Sequence, residues 1–118
     1  MYDSHNIFAK ILRGDIPCKK IFENDHALSF YDAFPRAKIH ALVIPKGEFE
    51  NFLDFQTHAT FVPFSSFYAA LTETLKILNL APSGFKLITR SGKDGGQEVP
   101  HFHVHILGGQ QLDETIDS

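Results

Sequence analysis

Three of the seven histidines in this 118-residue chain, His101, His103 and His105, alternate with Phe102, Val104 and Ile106. Strict alternation predicts a β-strand, on which the three imidazoles share one face and the apolar residues take the other. An imidazole titrates near neutrality, so it is available as nucleophile, acid, base or metal ligand. Each ring also brings two nitrogens that need partners if buried, so core packing alone does not account for the row. Neighbours on one strand face lie ~6.6 Å apart at Cα and the outer pair ~13 Å. Two adjacent histidines plus a third ligand such as His40 could meet on zinc, but all three could not. The sequence lacks the acidic residues and second ligand cluster of most zinc hydrolases, and no metal is expected. Covalent or acid–base chemistry is the other reading. One imidazole attacks while its neighbours meet the developing charge, an arrangement suited to phosphoryl groups.

A glycine-rich stretch, Ser91-Gly92-Lys93-Asp94-Gly95-Gly96-Gln97, stands just before the histidines. Its glycines serve a tight hairpin, and its backbone N–H groups could also approach a phosphate as an anion nest.

The elements that must position these residues follow from periodicity. Ile7, Phe8, Ile11 and Leu12 are spaced for an amphipathic helix over residues 5–13, with Ser4 as cap and Gly14 just past its end. Residues 19–23 and 27–32 read as strands around an Asn24-Asp25 turn. Residues 39–44 form a strong strand candidate ended by Pro45, with His40, Leu42 and Ile44 on one face. A short helix over the sheet is expected at residues 49–55. Phe64, Phe67, Leu71, Leu75 and Leu78 mark a long helix over 63–80. Residues 85–89 return as a strand before the histidines. The order implies an α+β domain over residues 1–112. Its sheet has about five antiparallel strands, with one short and one long helix on one face and a short acidic tail at 113–118.

Bulk composition narrows the partners. With 43% hydrophobic and 21% charged residues the chain is an ordinary globular domain. A net charge of −3 offers no general attraction for nucleic acid or anionic membrane, so a phosphate must be held by local groups. The single cysteine, Cys18, excludes an intrachain disulfide and suits a reducing compartment. No secretory signal and no apolar run near ~20 residues is present, so a cytoplasmic protein is expected.

The segment His101-Phe102-His103-Val104-His105-Ile106-Leu107, preceded by Asp94-Gly95-Gly96-Gln97, resembles the motif of the histidine triad (HIT) family in its Hint-like branch. Ile7-Phe8-Ala9-Lys10-Ile11, Gly14-Asp15-Ile16-Pro17, Phe30-Tyr31-Asp32 and His40-Ala41-Leu42-Val43-Ile44-Pro45 are similar to the family as well. The resemblance implies the HIT fold, a homodimer whose sheets join, and no cofactor. It implies cleavage of purine nucleoside 5′-phosphoramidates, or acyl-adenylates, to the nucleoside monophosphate through a nucleotidyl-histidine. On that reading His103 attacks the α-phosphorus and His101 orients it through its backbone carbonyl. His105 and His40 surround the phosphate and leaving group, and Asp32 binds the ribose. Phe8, Ile16, Phe30 and Leu42 line the base pocket, with Gly96, Gln97 and Val99 on the phosphate side. A nucleotide-binding adaptor dimer with little turnover is the alternative.

The chain departs from the family in three places. Arg90 stands where an Asn is usual, and is expected to supply a cation to the phosphates. Glu98 replaces a frequent Ser or Thr. A carboxylate 4 Å from a phosphate costs up to ~4 kcal/mol at an effective dielectric of 20. Glu98 therefore either points away or favours a cationic leaving group. The tail is shorter than in many relatives, which bears on leaving-group choice.

Overall fold

The computed structural model describes residues 1–114; positions 115–118 of the expected tail lie outside the described residues. The first helix, α1 (Ile7–Leu12), precedes strands β1 (Lys20–Glu23), β2 (Ala27–Tyr31) and β3 (Ile39–Pro45). Helices α2 (Phe52–His58) and α3 (Phe61–Ile77) follow, then β4 (Lys86–Ile88) and β5 (Val104–Gly108). All strand pairs are antiparallel, in the order β1-β2-β3-β5-β4.

Capping sets the helix limits. Asn6, not Ser4, caps α1: its side-chain oxygen accepts from the Ala9 N–H at 2.9 Å. At the other end Gly14, at φ +83°, lets its own N–H reach the Ile11 carbonyl and that of Asp15 reach Lys10. Asn79 ends α3 in the same way at φ +56°, with the Leu80 N–H bonded to Leu75. The helix therefore stops at Ile77 although apolar spacing continues to Leu80. Asn51 caps α2, and the Asp54 carboxylate returns to the Glu50 N–H at 2.8 Å.

Alternation along β2 and β3 divides the core. Ala27, Ala41 and Val43 join Phe55 of α2 and Phe67, Ala70 and Leu71 of α3. Leu28, Phe30, Leu42 and Ile44 point the other way and meet Phe8, Ile11 and Leu12 of α1. The helices are thus not all on one face. The two that follow β3 cover one side, while the short α1 lies on the histidine side. Its Ile-Phe-x-x-Ile-Leu stripe needs apolar partners, and those at positions 28, 30, 42 and 44 face that way.

The histidine strand is shorter than its alternation suggests. Only His105 lies within β5; His101 and His103 precede it. The ladder fails there because the Phe102 N–H goes to the Phe49 carbonyl at 2.7 Å and Pro100 offers no N–H. The face pattern persists nonetheless, since His103 and His105 have ring centroids 5.1 Å apart. Pro45, expected to end the preceding strand, is its last member and pairs with Ala27.

Candidate active site

The site face is built across three strands. Leu42 pairs with His105 on one side and Phe30 on the other, so all three point the same way. His40, two residues before Leu42, joins them. The imidazoles are not displayed to solvent: His101, His103, His105 and His40 are 0%, 6%, 8% and 2% exposed. Phe8 of α1 packs edge-on against two of them, with ring centroids 4.9 Å from His103 and 6.3 Å from His101.

Buried imidazoles must have their nitrogens matched, and the partners here fix every proton. The Arg36 N–H donates to His40 Nδ1 at 3.0 Å, so the His40 proton resides on Nε2. From there it faces His105 Nδ1 at 2.9 Å and the Asp32 carboxylate at 3.3 Å. With His105 Nδ1 accepting, the proton of neutral His105 sits on Nε2. His103 Nδ1 donates to the His101 carbonyl at 2.7 Å, which leaves the lone pair of neutral His103 on Nε2. His101 Nε2 donates to the Pro45 carbonyl at 2.8 Å, so its Nδ1 accepts from the Tyr2 hydroxyl. No buried side-chain nitrogen or oxygen among the described residues lacks a partner.

At His101, His103 and His105 the surroundings disfavour the charged ring. Burial pushes His101 down to about 4, opposed by the Pro45 carbonyl and aided by nearby His103. His105 falls to about 3, chiefly through burial, with His103, His40, Arg36 and Arg90 acting in the same direction. Burial also lowers His103, against the pull of the His101 carbonyl and Asp32, while Arg90 lowers it further. At neutral pH the face therefore offers a basic lone pair on His103 beside an N–H donor on His105.

A metal fits this set poorly. Asp32, His40 and His105 have one ligand atom each within 4.8 Å of the others. Binding through His40 Nε2 would drive the ring proton to Nδ1, where the Arg36 N–H already points. Two donors would then face each other in a buried site.

The apolar residues expected around the base are partly brought together. Phe8, Phe30 and Leu42 form one cluster, with Val99 packed against it. Ile16 stands apart, lining a cleft of about 510 Å³ with Ile11, Leu12, Leu28, Lys20 and Lys46. Asp32 is near His40, and its other carboxylate oxygen accepts from the Phe34 N–H at 2.8 Å. Arg90 leans over Gly96: a Cβ added there would lie 3.6 Å from Arg90 Cδ. Glu98 is exposed.

The glycine-rich turn consumes much of its own polarity. Gln97 accepts from the Gly92 N–H and donates to the carbonyls of Glu50 and Val99, at 2.9, 2.6 and 3.0 Å. The N–H groups of Gly96 and Gln97 bond inside the turn to Lys93 and Gly92. The hairpin need thus explains this stretch, and Gln97 acts as its clamp.

Several residues of the site escape sequence reading. Tyr2 lies 99 positions from the ring it serves, and no local pattern connects them. The Pro45 carbonyl and the Arg36 N–H act through backbone, which carries no side-chain signature. Asn6 alone had a signal, as a cap residue before an apolar stripe.

The fold and the site together define a class: an open antiparallel sheet that holds a neutral histidine cluster against an apolar pocket. The chain belongs to the HIT domain family, whose match spans residues 13–112. It is 43% identical to an uncharacterised HIT-like protein of Azospirillum brasilense, over 98% of this chain and 94% of that one. Among solved structures, a histidine triad protein from Clostridium difficile superposes with a TM-score of 0.85 at 36% identity, covering 97% of this chain and 98% of the other. A HIT family hydrolase from Legionella pneumophila gives a TM-score of 0.84 at 30% identity, over 95% and 99% of the two chains.

Proposed function

We propose that this protein is a hydrolase or transferase of nucleotides. It cleaves purine nucleoside 5′-phosphoramidates, or acyl-adenylates, to the nucleoside monophosphate, as in the Hint-like branch. The observation that carries this reading is the proton placement at the triad. His103 Nδ1 is committed to the His101 carbonyl, so its Nε2 lone pair is the nucleophile. Attack on the α-phosphorus forms the P–N bond to His103 and breaks the bond to the leaving group, which departs with the bonding electron pair, an amine taking up a proton from solvent as it leaves. The His105 N–H stabilises the charge gathering on the phosphoryl oxygen. Water then cleaves the nucleotidyl-histidine and restores the lone pair. Phe8, Phe30 and Leu42 supply the apolar wall for the base, and Asp32 accepts from the ribose hydroxyls. A homodimer joined at the sheet edge is part of the same reading.

The test is trapping with an adenosine phosphoramidate. Rapid quenching yields an AMP adduct that mass spectrometry places on His103, and His103→Ala lowers turnover by several orders of magnitude. An adduct elsewhere, or near-normal turnover in that variant, overturns the reading. Tight AMP binding by a wild-type protein that turns over nothing indicates the adaptor alternative.

A further inference from the structure

We propose that Tyr2 is a positioning residue of the histidine site, clamping the His101 ring so that the His101 carbonyl holds His103 in its attacking orientation. The proposal rests on the catalytic reading above for its effect on turnover, but the clamp itself stands on geometry alone.

The Tyr2 hydroxyl has one proton and two partners. Asn6 Nδ2 donates to it at 2.9 Å, so its own proton goes to His101 Nδ1. His101 is then held at both ends, by Tyr2 on Nδ1 and by the Pro45 carbonyl on Nε2 at 2.8 Å. The residue is fully buried, its N–H bonds to the Val99 carbonyl at 2.8 Å, and the peptide that joins it to Phe102 is held by the Phe102 N–H on the Phe49 carbonyl at 2.7 Å. That peptide presents the carbonyl on which His103 Nδ1 rests. The rings of Tyr2 and His101 also meet edge-on, with centroids 5.7 Å apart.

The clamp is joined to α1 as well. Asn6 caps that helix through its oxygen while its nitrogen holds Tyr2, and α1 carries the Phe8 that packs on both His101 and His103. One asparagine thus couples the cover of the site to the ring behind it.

The hydroxyl does more than orient. By donating to Nδ1 it opposes a second proton on His101, adding to the effect of burial. Burial keeps the phenol itself protonated and so a donor. The charged groups that act on Tyr2 are Glu48, Arg13 and Asp3, and the titratable neighbour acting on His101 is His103. Loss of the hydroxyl makes His101 easier to protonate, and protonated His101 has no acceptor at Nδ1.

The experiment compares wild type with Tyr2→Phe, which keeps the aromatic ring against His101. Imidazole nitrogens are followed by NMR through a pH titration, and steady-state turnover of an adenosine phosphoramidate is measured in parallel. In the wild type His101 is the Nε2–H tautomer and titrates near pH 4. In Tyr2→Phe its Nδ1 resonance shifts, its protonation begins at higher pH, and the His103 Nδ1 resonance moves with it. Turnover at saturation falls about tenfold while KM changes less than about twofold, because orientation rather than binding is lost. Unmoved His101 and His103 resonances overturn the proposal, as does full turnover despite shifted resonances. A wild type without turnover defeats the catalytic reading instead, and the resonances then decide the clamp. Unfolding of Tyr2→Phe is read separately from its thermal midpoint, and the comparison is made well below it.

Discussion

Arg90 is the residue whose chemistry departs furthest from the expected site, and its position gives the departure two consequences. It stands two residues past Ile88, which pairs with His105, and its side chain lies over Gly96. Its positive charge pushes both His103 and His105 toward the neutral form. On the proposed nucleotide reading the same charge would meet a phosphate that an uncharged amide would meet only with a dipole. Arg90→Asn is therefore expected to weaken AMP binding by roughly tenfold, the size of one charge-assisted hydrogen bond. It is also expected to raise the acid limb of the pH–rate profile, because His103 then takes its proton at a higher pH. Calorimetric titration with AMP and a rate profile between pH 4 and 8 check the two effects. Unchanged affinity rejects the phosphate role; an unmoved acid limb rejects the electrostatic one.

At the level of elements, alternation and spacing identified all five strands, α1 and α3, and placed a short helix where α2 begins. What remained hidden depended on partners far along the chain. Positions 101 and 103 read as strand because side chains report faces, whereas the Phe102 N–H leaves for Phe49 and ends the ladder. The side on which α1 lies was equally hidden, since a stripe of apolar residues specifies that it is buried but not beneath which face. Among site residues, His40 and Leu42 were legible as one face of a strand, and the alternating histidines as another. Tyr2 was not, because its role exists only after residues 2 and 101 meet. Strand β4 raises a separate question, for it is an open edge. Phe85 and Leu87 there are 41% and 42% exposed, and Ile77 at the end of α3 is 54% exposed. Unpaired edges with apolar residues invite pairing with another strand. The homodimer we propose would join at such an edge, and Leu87→Lys, which would set two like charges together there, is expected to shift the protein to monomer. Sedimentation equilibrium reads the mass. A dimer that survives the substitution places the joint elsewhere.

For the molecule as a whole, neutral buried histidines tie stability to pH. His101 and His105 titrate at about 4 and about 3 in the folded chain, against 6.5 for an ordinary imidazole. A depressed value means that the unfolded chain binds the proton first. Between pH 6.5 and 4 the unfolded state therefore holds more protons, and stability falls as pH falls. The loss is about 1.4 kcal/mol per pH unit for each histidine kept neutral. Carboxylates act in a different window: Glu23, held down by Lys46 and Lys20, loses its contribution only as pH falls below the ordinary carboxylate value of 4.5. From pH 6.5 to 4.5 the loss at His101 and His105 is therefore separate from that at Glu23. Urea unfolding is expected to give constant stability above about pH 7 and a loss of at least ~2 kcal/mol by pH 4.5, from one histidine alone. The sign distinguishes this from ion pairing, in which protonated histidine would be the stabilised form and acid would strengthen the fold. A stability that is flat or rising from pH 7 to 4.5 would mean that the rings are protonated in the folded state. His103 would then have no lone pair to attack with at the acid end of that range.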